Sequence, residues 1–192
     1  MDRLSYKWRV GDVGHKIDLV RVEGTNCKPY PFGEGANVLP IEVDDFFINT
    51  VPVTQAFWTH VMGEHNPSLH RGSDLPLENV TWDEITSPDG FLQRLNESRI
   101  RNQILVDESL TTYDFRLPTE TEWEYAARGG PYWPDSFQFS GSNDIDAVAW
   151  YDRKHGDQTQ PVGLKAPNQL GIYDMSGNVW EWCDVHYFDT KT

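Results

Sequence analysis

A loop-rich α+β domain is what this sequence predicts, on three observations. Strand signals and helix signals occupy different stretches: β-branched and aromatic runs at 18–23 and 41–48, then capped helical patterns from residue 54 onward. Fifteen Gly and twelve Pro interrupt both kinds of element, which requires long connections. Eight Trp, eight Tyr and nine Phe stand in a chain only 38% hydrophobic, so the core is expected to rest on a few large side chains. The length of 192 residues fits one domain, able to bury about 70% of its unfolded surface. Residues 1–17 are polar and mixed and read as an N-terminal extension, leaving 18–192 for the domain.

Taken in order, Asp18 to Glu23 is a short strand with partial alternation, and Gly24 to Asn37 is a loop with three Gly and two Pro. Ile41 to Ile48 is a second strand region. Thr54 caps a helix whose apolar face is Phe57, Trp58, Val61 and Met62, and Gly63 stops it. Thr81-Trp82-Asp83-Glu84 is a capping box, and Ser87-Pro88-Asp89 reads as a second start, with Pro at N1. The two predict one broken helical region ending with Phe91, Leu92 and Leu95. A short strand is expected at Ile104-Leu105-Val106 within a surface excursion over 97–113. Thr119 and Glu122 form another capping box, with Glu120, Glu122 and Glu124 favourable to the helix dipole. Arg128 then sits in the last turn, Gly129 terminates, and Trp123, Ala126 and Ala127 give the buried face. From Pro131 to Leu170 loops dominate, with extended pieces at 148–151 and 160–163.

Charge and motif content narrow the function. Sixteen Lys and Arg against thirty Asp and Glu give a net charge of −14, which disfavours nucleic acid and anionic membrane and suits a divalent cation or a basic partner. No apolar run approaches the roughly 18 residues of a membrane span, and the N-terminus lacks the apolar core of a signal peptide, so a cytoplasmic location is expected. Cys27 and Cys183 make neither a zinc site nor a Cys-x-x-Cys pair; one disulfide is conceivable, and reduced thiols are expected. His60, His65 and His70 recur every five residues, not at the i, i+4 spacing of a helical zinc site, and read as exposed loop histidines. Nucleophile-elbow and phosphate-loop motifs are missing, and the sequons at Asn79 and Asn96 carry little weight without a secretion signal.

One stretch stands apart. Ser176-Gly177-Asn178 is a tight-turn signal, and Val179-Trp180-Glu181-Trp182 then places one carboxylate between two large aromatics. A carboxylate so placed is exposed, hydrogen-bonded or bound to a cation. Two readings follow: a core strand with Glu181 accepting from backbone amides, or hard-oxygen donors from Asn178 and Glu181 for Ca²⁺.

Arg116 to Gly130 (RLPTETEWEYAARGG) followed by Pro167 to Trp182 (PNQLGIYDMSGNVWEW) resembles the formylglycine-generating enzyme family, the sulfatase-modifying factors. Val53-Thr54-Gln55, Met62-Gly63, Asn66-Pro67-Ser68 and Glu78 to Asp83 match earlier blocks in order, and Ser140 to Asn143 with Val148 to Tyr151 match a bacterial branch. The resemblance runs from about Asp18 to Tyr187. It implies a C-type-lectin-like fold stabilised by calcium, with Asn178 and Glu181 as ligands and a backbone oxygen from Val179. The family activity is copper- and O₂-dependent oxidation of a sulfatase cysteine to formylglycine. Its copper is held by two cysteines downstream of the Asn-Val-Trp-Glu-Trp block. Cys183 lies too near that block and Cys27 in the wrong part of the chain, so copper is expected only with a further cysteine pair beyond Thr192. The domain is therefore expected to be incomplete at its C-terminus and prone to associate.

Three readings of function follow from the resemblance. The chain is a sulfatase-modifying-factor domain acting on an unfolded sulfatase segment, a non-catalytic binding module for another protein or a glycan, or a relative of the sulfoxide synthases. The third needs a helical His-cluster domain for which the chain has no room.

Overall fold

The computed structural model describes residues 8–10, 17–33, 35–100, 114–151 and 157–184. Strands β1 (Trp8–Val10), β2 (Ile17–Val22) and β5 (Phe46–Asn49) form an antiparallel sheet in the order β1-β2-β5. Leu19 stands opposite Trp8 on one side and Asn49 on the other. Strands β3 (Tyr30–Phe32) and β4 (Leu39–Ile41) make a separate antiparallel hairpin. Helices α1 (Gln55–Met62), α2 (Trp82–Thr86), α3 (Phe91–Ile100), α4 (Glu120–Ala127) and α5 (Ile145–Val148) are short, and long connections join them.

Strands β2 and β5 are packed on both faces. Ile17 and Leu19 of β2, with Phe47 of β5, pack against Phe57 and Trp58 of α1, Ile85 of α2, and Phe91 and Leu95 of α3. Val20 and Val22, with Phe46 and Ile48, point the other way, into a second core of Tyr30, Tyr125, Ala126, Ile172 and Met175. Successive strand side chains alternate faces, so a strand with a core on each side loses its polar positions. That is why the alternation over 18–23 is only partial. Aromatics supply much of the first core: Trp58 stacks on Phe91 at 4.9 Å, and Phe57 meets the same ring edge-on at 6.1 Å.

The helix ends obey local chemistry. Thr54 accepts from Phe57 N–H, and Gly63 closes α1 at a φ of 82°. Both capping boxes form: Thr81 with Glu84, and Thr119 with Glu122. Burial would raise the Glu122 carboxyl, but two hydrogen bonds from Arg116 (2.6 and 2.7 Å) and one from Thr119 N–H (2.8 Å) outweigh it and hold the carboxyl below the usual range.

Several expectations are corrected. The region 41–48 is not one strand, because 42–45 leave the sheet: Val43 N–H pairs with the Thr25 hydroxyl at 3.0 Å and Val43 C=O accepts from Thr25 N–H at 2.9 Å. The loop over 24–37 contains β3 and a 3₁₀ turn at Gly35–Asn37. Ser87 does not start a helix; Gly90 N–H bonds back to Ser87 C=O at 2.8 Å, and α3 begins at Phe91 and continues past Leu95 to Ile100. Tyr125 is the buried aromatic of α4, whereas Trp123 is only partly covered. Val148 ends a helical turn, and 160–163 belong to no strand. His60 lies on α1, exposed. A strand within the N-terminal extension, β1, pairs with β2. The strand expected at 104–106 falls outside the described residues.

Glu122→Gln keeps the cap geometry but removes the charge. At neutral pH we expect a loss of about 1–2 kcal/mol, modest because Arg116 is exposed. The carboxyl is lowered in the folded state, so its contribution is present above the unfolded carboxylate value of about 4.3 and lost as pH falls through the folded value. Denaturant melts from pH 7 to 3 should show wild type and variant converging at acid pH; a constant gap would refute the assignment.

Candidate functional site: an aromatic cleft beside two buried carboxylates

A cleft of about 790 Å³ opens between residues of 70–80, of 150–151 with 157–160, and of 178–182. The first wall is held by a buried amide. Gln55, 2% exposed, donates to His70 C=O (2.7 Å) and Pro76 C=O (3.1 Å) and accepts from Asn66 Nδ2 (3.0 Å) and Gly72 N–H (3.2 Å). Glu78 adds to this by accepting Leu69 N–H at 2.5 Å and His70 N–H at 3.0 Å.

The opposite wall is the turn singled out in the sequence. Asn178 takes the left-handed conformation, φ 70°. Gly177 is needed for a close approach, since a Cβ there would collide with the carbonyl oxygen of Trp150. Asn178 N–H donates to that same oxygen at 2.8 Å. The Asn178 amide clasps Gln160, accepting its N–H and donating to its C=O, both at 3.0 Å. An extended segment follows, in which side chains alternate. Trp180 is fully exposed at 102%, and Trp182 crosses to the first wall, donating to Val80 C=O at 3.1 Å and meeting Trp82 edge-on at 5.7 Å.

Glu181 points the other way. Its residue reaches the cleft lining, but its carboxyl is desolvated and accepts from Trp123 Nε1 at 3.0 Å. Burial pushes that carboxyl up to about 7, with the nearby Asp174 charge adding to the rise. Asp174 is 2% exposed, held at φ 61°, and also raised, chiefly by burial. Its Oδ2 accepts from Gly163 N–H at 2.8 Å, while its Oδ1 has no hydrogen-bond partner among the described residues.

The sequence-derived ligands are therefore placed differently from one another. Glu181 couples electrostatically to Asp174, a residue the sequence analysis did not single out, whereas the Asn178 side chain faces Gln160. Val179 lies between them, its N–H on Gly177 C=O at 3.0 Å. The Glu181 carboxylate meets an indole N–H in place of the backbone amides considered above. The signal for Asp174 was present in Tyr173-Asp174-Met175, an acid between large apolar residues, but without a long-range partner it reads as an ordinary loop residue.

The thiols stand apart from the cleft lining. Cys27 is exposed and Cys183 half-buried, both unpaired, and burial with Glu181, Glu120 and Glu122 nearby pushes the Cys183 thiol up to about 12. Among the described residues no group of three or more His, Cys, Asp or Glu is arranged to hold a metal, and no helix is long and apolar enough to cross a membrane. The Asn96 amide of the second sequon clasps Phe115, accepting its N–H (2.8 Å) and donating to its C=O (3.0 Å).

The α+β framework of short elements matches solved structures of the formylglycine-generating type, a C-type-lectin-like fold. The chain belongs to the sulfatase-modifying factor family: the model of the "Sulfatase-modifying factor enzyme 1-like domain" matches residues 18–192. It is 37% identical over 206 residues to the chaperone protein LppX of Paenibacillus barcinonensis, covering 86% of this chain and 70% of that protein. It is 32% identical over 145 residues to the formylglycine-generating enzyme of Mus musculus, covering 69% of this chain but 32% of that enzyme. Among solved structures, Treponema denticola variable protein 1 superposes with a TM-score of 0.71 at 27% identity, covering 95% of this chain and 80% of the other.

Two variants separate what Asn178 does. Asn178→Gly keeps the left-handed backbone and loses the clasp on Gln160, for an expected cost of about 1–2 kcal/mol. Asn178→Ala adds a backbone penalty of about 1–2 kcal/mol. Equal stability of the two variants in urea titrations would show that the turn does not need the left-handed residue.

Proposed function

We propose that this domain is a recognition module that seats an extended polypeptide segment in the cleft, steadied by a calcium ion beneath it. The observation that carries this reading is the Trp180-Glu181-Trp182 segment, which presents two indoles to the cleft where the described residues bring no thiol. Burial and the carboxylates of Glu181, Glu120 and Glu122 push the Cys183 thiol up, which adds a cost to forming the thiolate that Cu(I) takes. The residues described here thus do not supply the soft ligands that cysteine oxidation in this family requires. The related LppX is named a chaperone protein, which accords with a family member that works by binding. An exposed apolar cleft is the surface through which a polypeptide is held.

The buried carboxylates fit calcium. The Asp174 charge raises the cost of ionising Glu181, and Asp174 Oδ1 is a buried oxygen with no donor among the described residues. Hard anionic oxygens in a desolvated place are the donor set a divalent cation takes. Asp174 and Glu181 would hold the ion, with Val179 contributing a backbone oxygen, and Asn178 would shape the turn through its clasp on Gln160. The ion would supply charge neutralisation and fix the turn; the recognition itself belongs to the indoles.

Fluorescence anisotropy with a labelled, reduced and unfolded polypeptide should give saturable binding that the double variant Trp180→Ala/Trp182→Ala loses while melting cooperatively. Binding unchanged in that variant would remove the cleft from the reading. A cysteine-bearing sulfatase peptide incubated with the chain, copper and reductant should show no formylglycine by mass spectrometry; turnover above a protein-free blank would restore the enzymatic reading.

Calcium at a hundred times its dissociation constant should stabilise the chain by about 2.7 kcal/mol. Asp174→Asn and Glu181→Gln should abolish that gain, and Asn178→Gly should keep it. A melting temperature indifferent to calcium and chelator would remove the ion.

A further inference from the structure

We propose that the cleft takes its polypeptide by strand addition, the guest lying main chain to main chain along residues 179–183; this rests on the recognition reading above and adds how the segment is held. Trp180 is 102% exposed over the whole residue, main chain included, so its N–H and C=O stand in water along with the indole. The backbone there already has the alternation of a β-strand: Trp180 and Trp182 face outward, while Glu181 between them turns inward to Trp123 Nε1 at 3.0 Å. Both ends of the segment are pinned. The Asn178 amide clasps Gln160 on one side, and on the other Asp184 forms a parallel bridge to Thr119, with its N–H on Pro118 C=O at 2.7 Å. A strand held in this way needs no ordering when a guest arrives.

An open strand edge pairs with an extended backbone that approaches it, and natural edges are commonly blunted with Lys or Pro. The sequence from Asn178 to Asp184 contains neither, and Val179, Trp180 and Trp182 are residue types that favour strands. The complement to N–H donors and C=O acceptors at strand spacing is a second extended chain, bound through its main chain and selected through alternate side chains. Selection here comes from one face. Trp180 and Trp182 stand two residues apart and both line the cleft, so every second guest side chain would lie against an indole. The guest is therefore an unfolded segment with apolar residues at alternate positions and any residues between. A folded helix, whose main chain is already paired, is refused.

The test uses the full chain with calcium and a fluorescent, unstructured decapeptide alternating valine with serine, together with a set carrying one N-methyl group at each position in turn. An added strand turns the N–H of alternate residues toward its host and the others away. N-methylation should therefore weaken binding by about tenfold at every second central position and by less than about twofold between them. Binding should also slow hydrogen exchange of main-chain amides within 179–183. A loss of the same size at every position, or at none, overturns strand addition; if the unfolded polypeptide still binds, the recognition reading stands. Binding of neither the decapeptide nor the unfolded polypeptide overturns both. Slow exchange across 180–182 before any peptide is added shows the edge already covered and overturns the proposal. A chain that dimerises through this segment and is not dissociated by the peptide gives the edge to a second copy and overturns the polypeptide guest.

Discussion

A chain with this little regular structure must satisfy its buried backbone groups without helical or sheet ladders, and side-chain amides meet that constraint. Asn168, 6% exposed, donates to Ala126 C=O at 2.8 Å and Ser140 Oγ at 3.1 Å while accepting Leu170 and Ile172 N–H at 3.0 and 3.2 Å. It thereby joins the end of α4, the loop at 140 and the turn that leads to Asp174. Gln55, Asn96 and Asn178 do the same elsewhere, each pairing with backbone far away in sequence. An amide is suited to this because it donates and accepts at once, whereas a carboxylate only accepts and carries a charge that burial penalises. Loss of one such amide leaves several buried groups unpaired together, at about 1–3 kcal/mol each.

These clasps connect the core to the cleft. Gln55 belongs to the α1 layer, yet its bonds go to the loop that forms one wall. On the other face of the sheet, Ile172 and Met175 sit in the second core, and Asp174 lies between them in sequence. The two walls thus belong to opposite faces of one sheet whose central strand is covered on both sides. Trp182 spans them through its bond to Val80 C=O. A shift between the two cores would be read directly at the cleft.

What could be read from the sequence follows the range of the interaction. Thr54, Thr81 and Thr119 were legible as caps because donor and acceptor lie three residues apart. Asn178 was legible as a turn residue from its own tolerance of the left-handed region, though the carbonyl that forces glycine at 177 belongs to Trp150. The strand boundary at 42–45 was not legible, because the Thr25 hydroxyl occupies the partner position that a neighbouring strand would otherwise take. Tyr125, not Trp123, is the buried aromatic of α4, and the structure uses Trp123 for its N–H, as the donor to Glu181. Asp174 is the instructive omission. Its significance rests on burial and on a carboxylate seven positions away, and neither shows in a local pattern.

The Trp-Glu-Trp triplet ties the two halves of the proposed site into one device. In an extended segment neighbouring side chains face opposite ways. An inward carboxylate therefore requires outward neighbours, and those outward neighbours are the indoles of the cleft. The backbone on either side of the fully exposed Trp180 is held, by the Asn178 clasp before it and by Asp184 N–H on Pro118 C=O at 2.7 Å after it. An ion neutralising Glu181 and Asp174 from below would, on the proposed reading, remove the repulsion between them. On the proposed reading, the ion beneath and the polypeptide above act on one short strand of chain from its two sides. Ordering that strand with the first ligand lowers the entropy cost of the second, so calcium and polypeptide would strengthen each other's binding without touching.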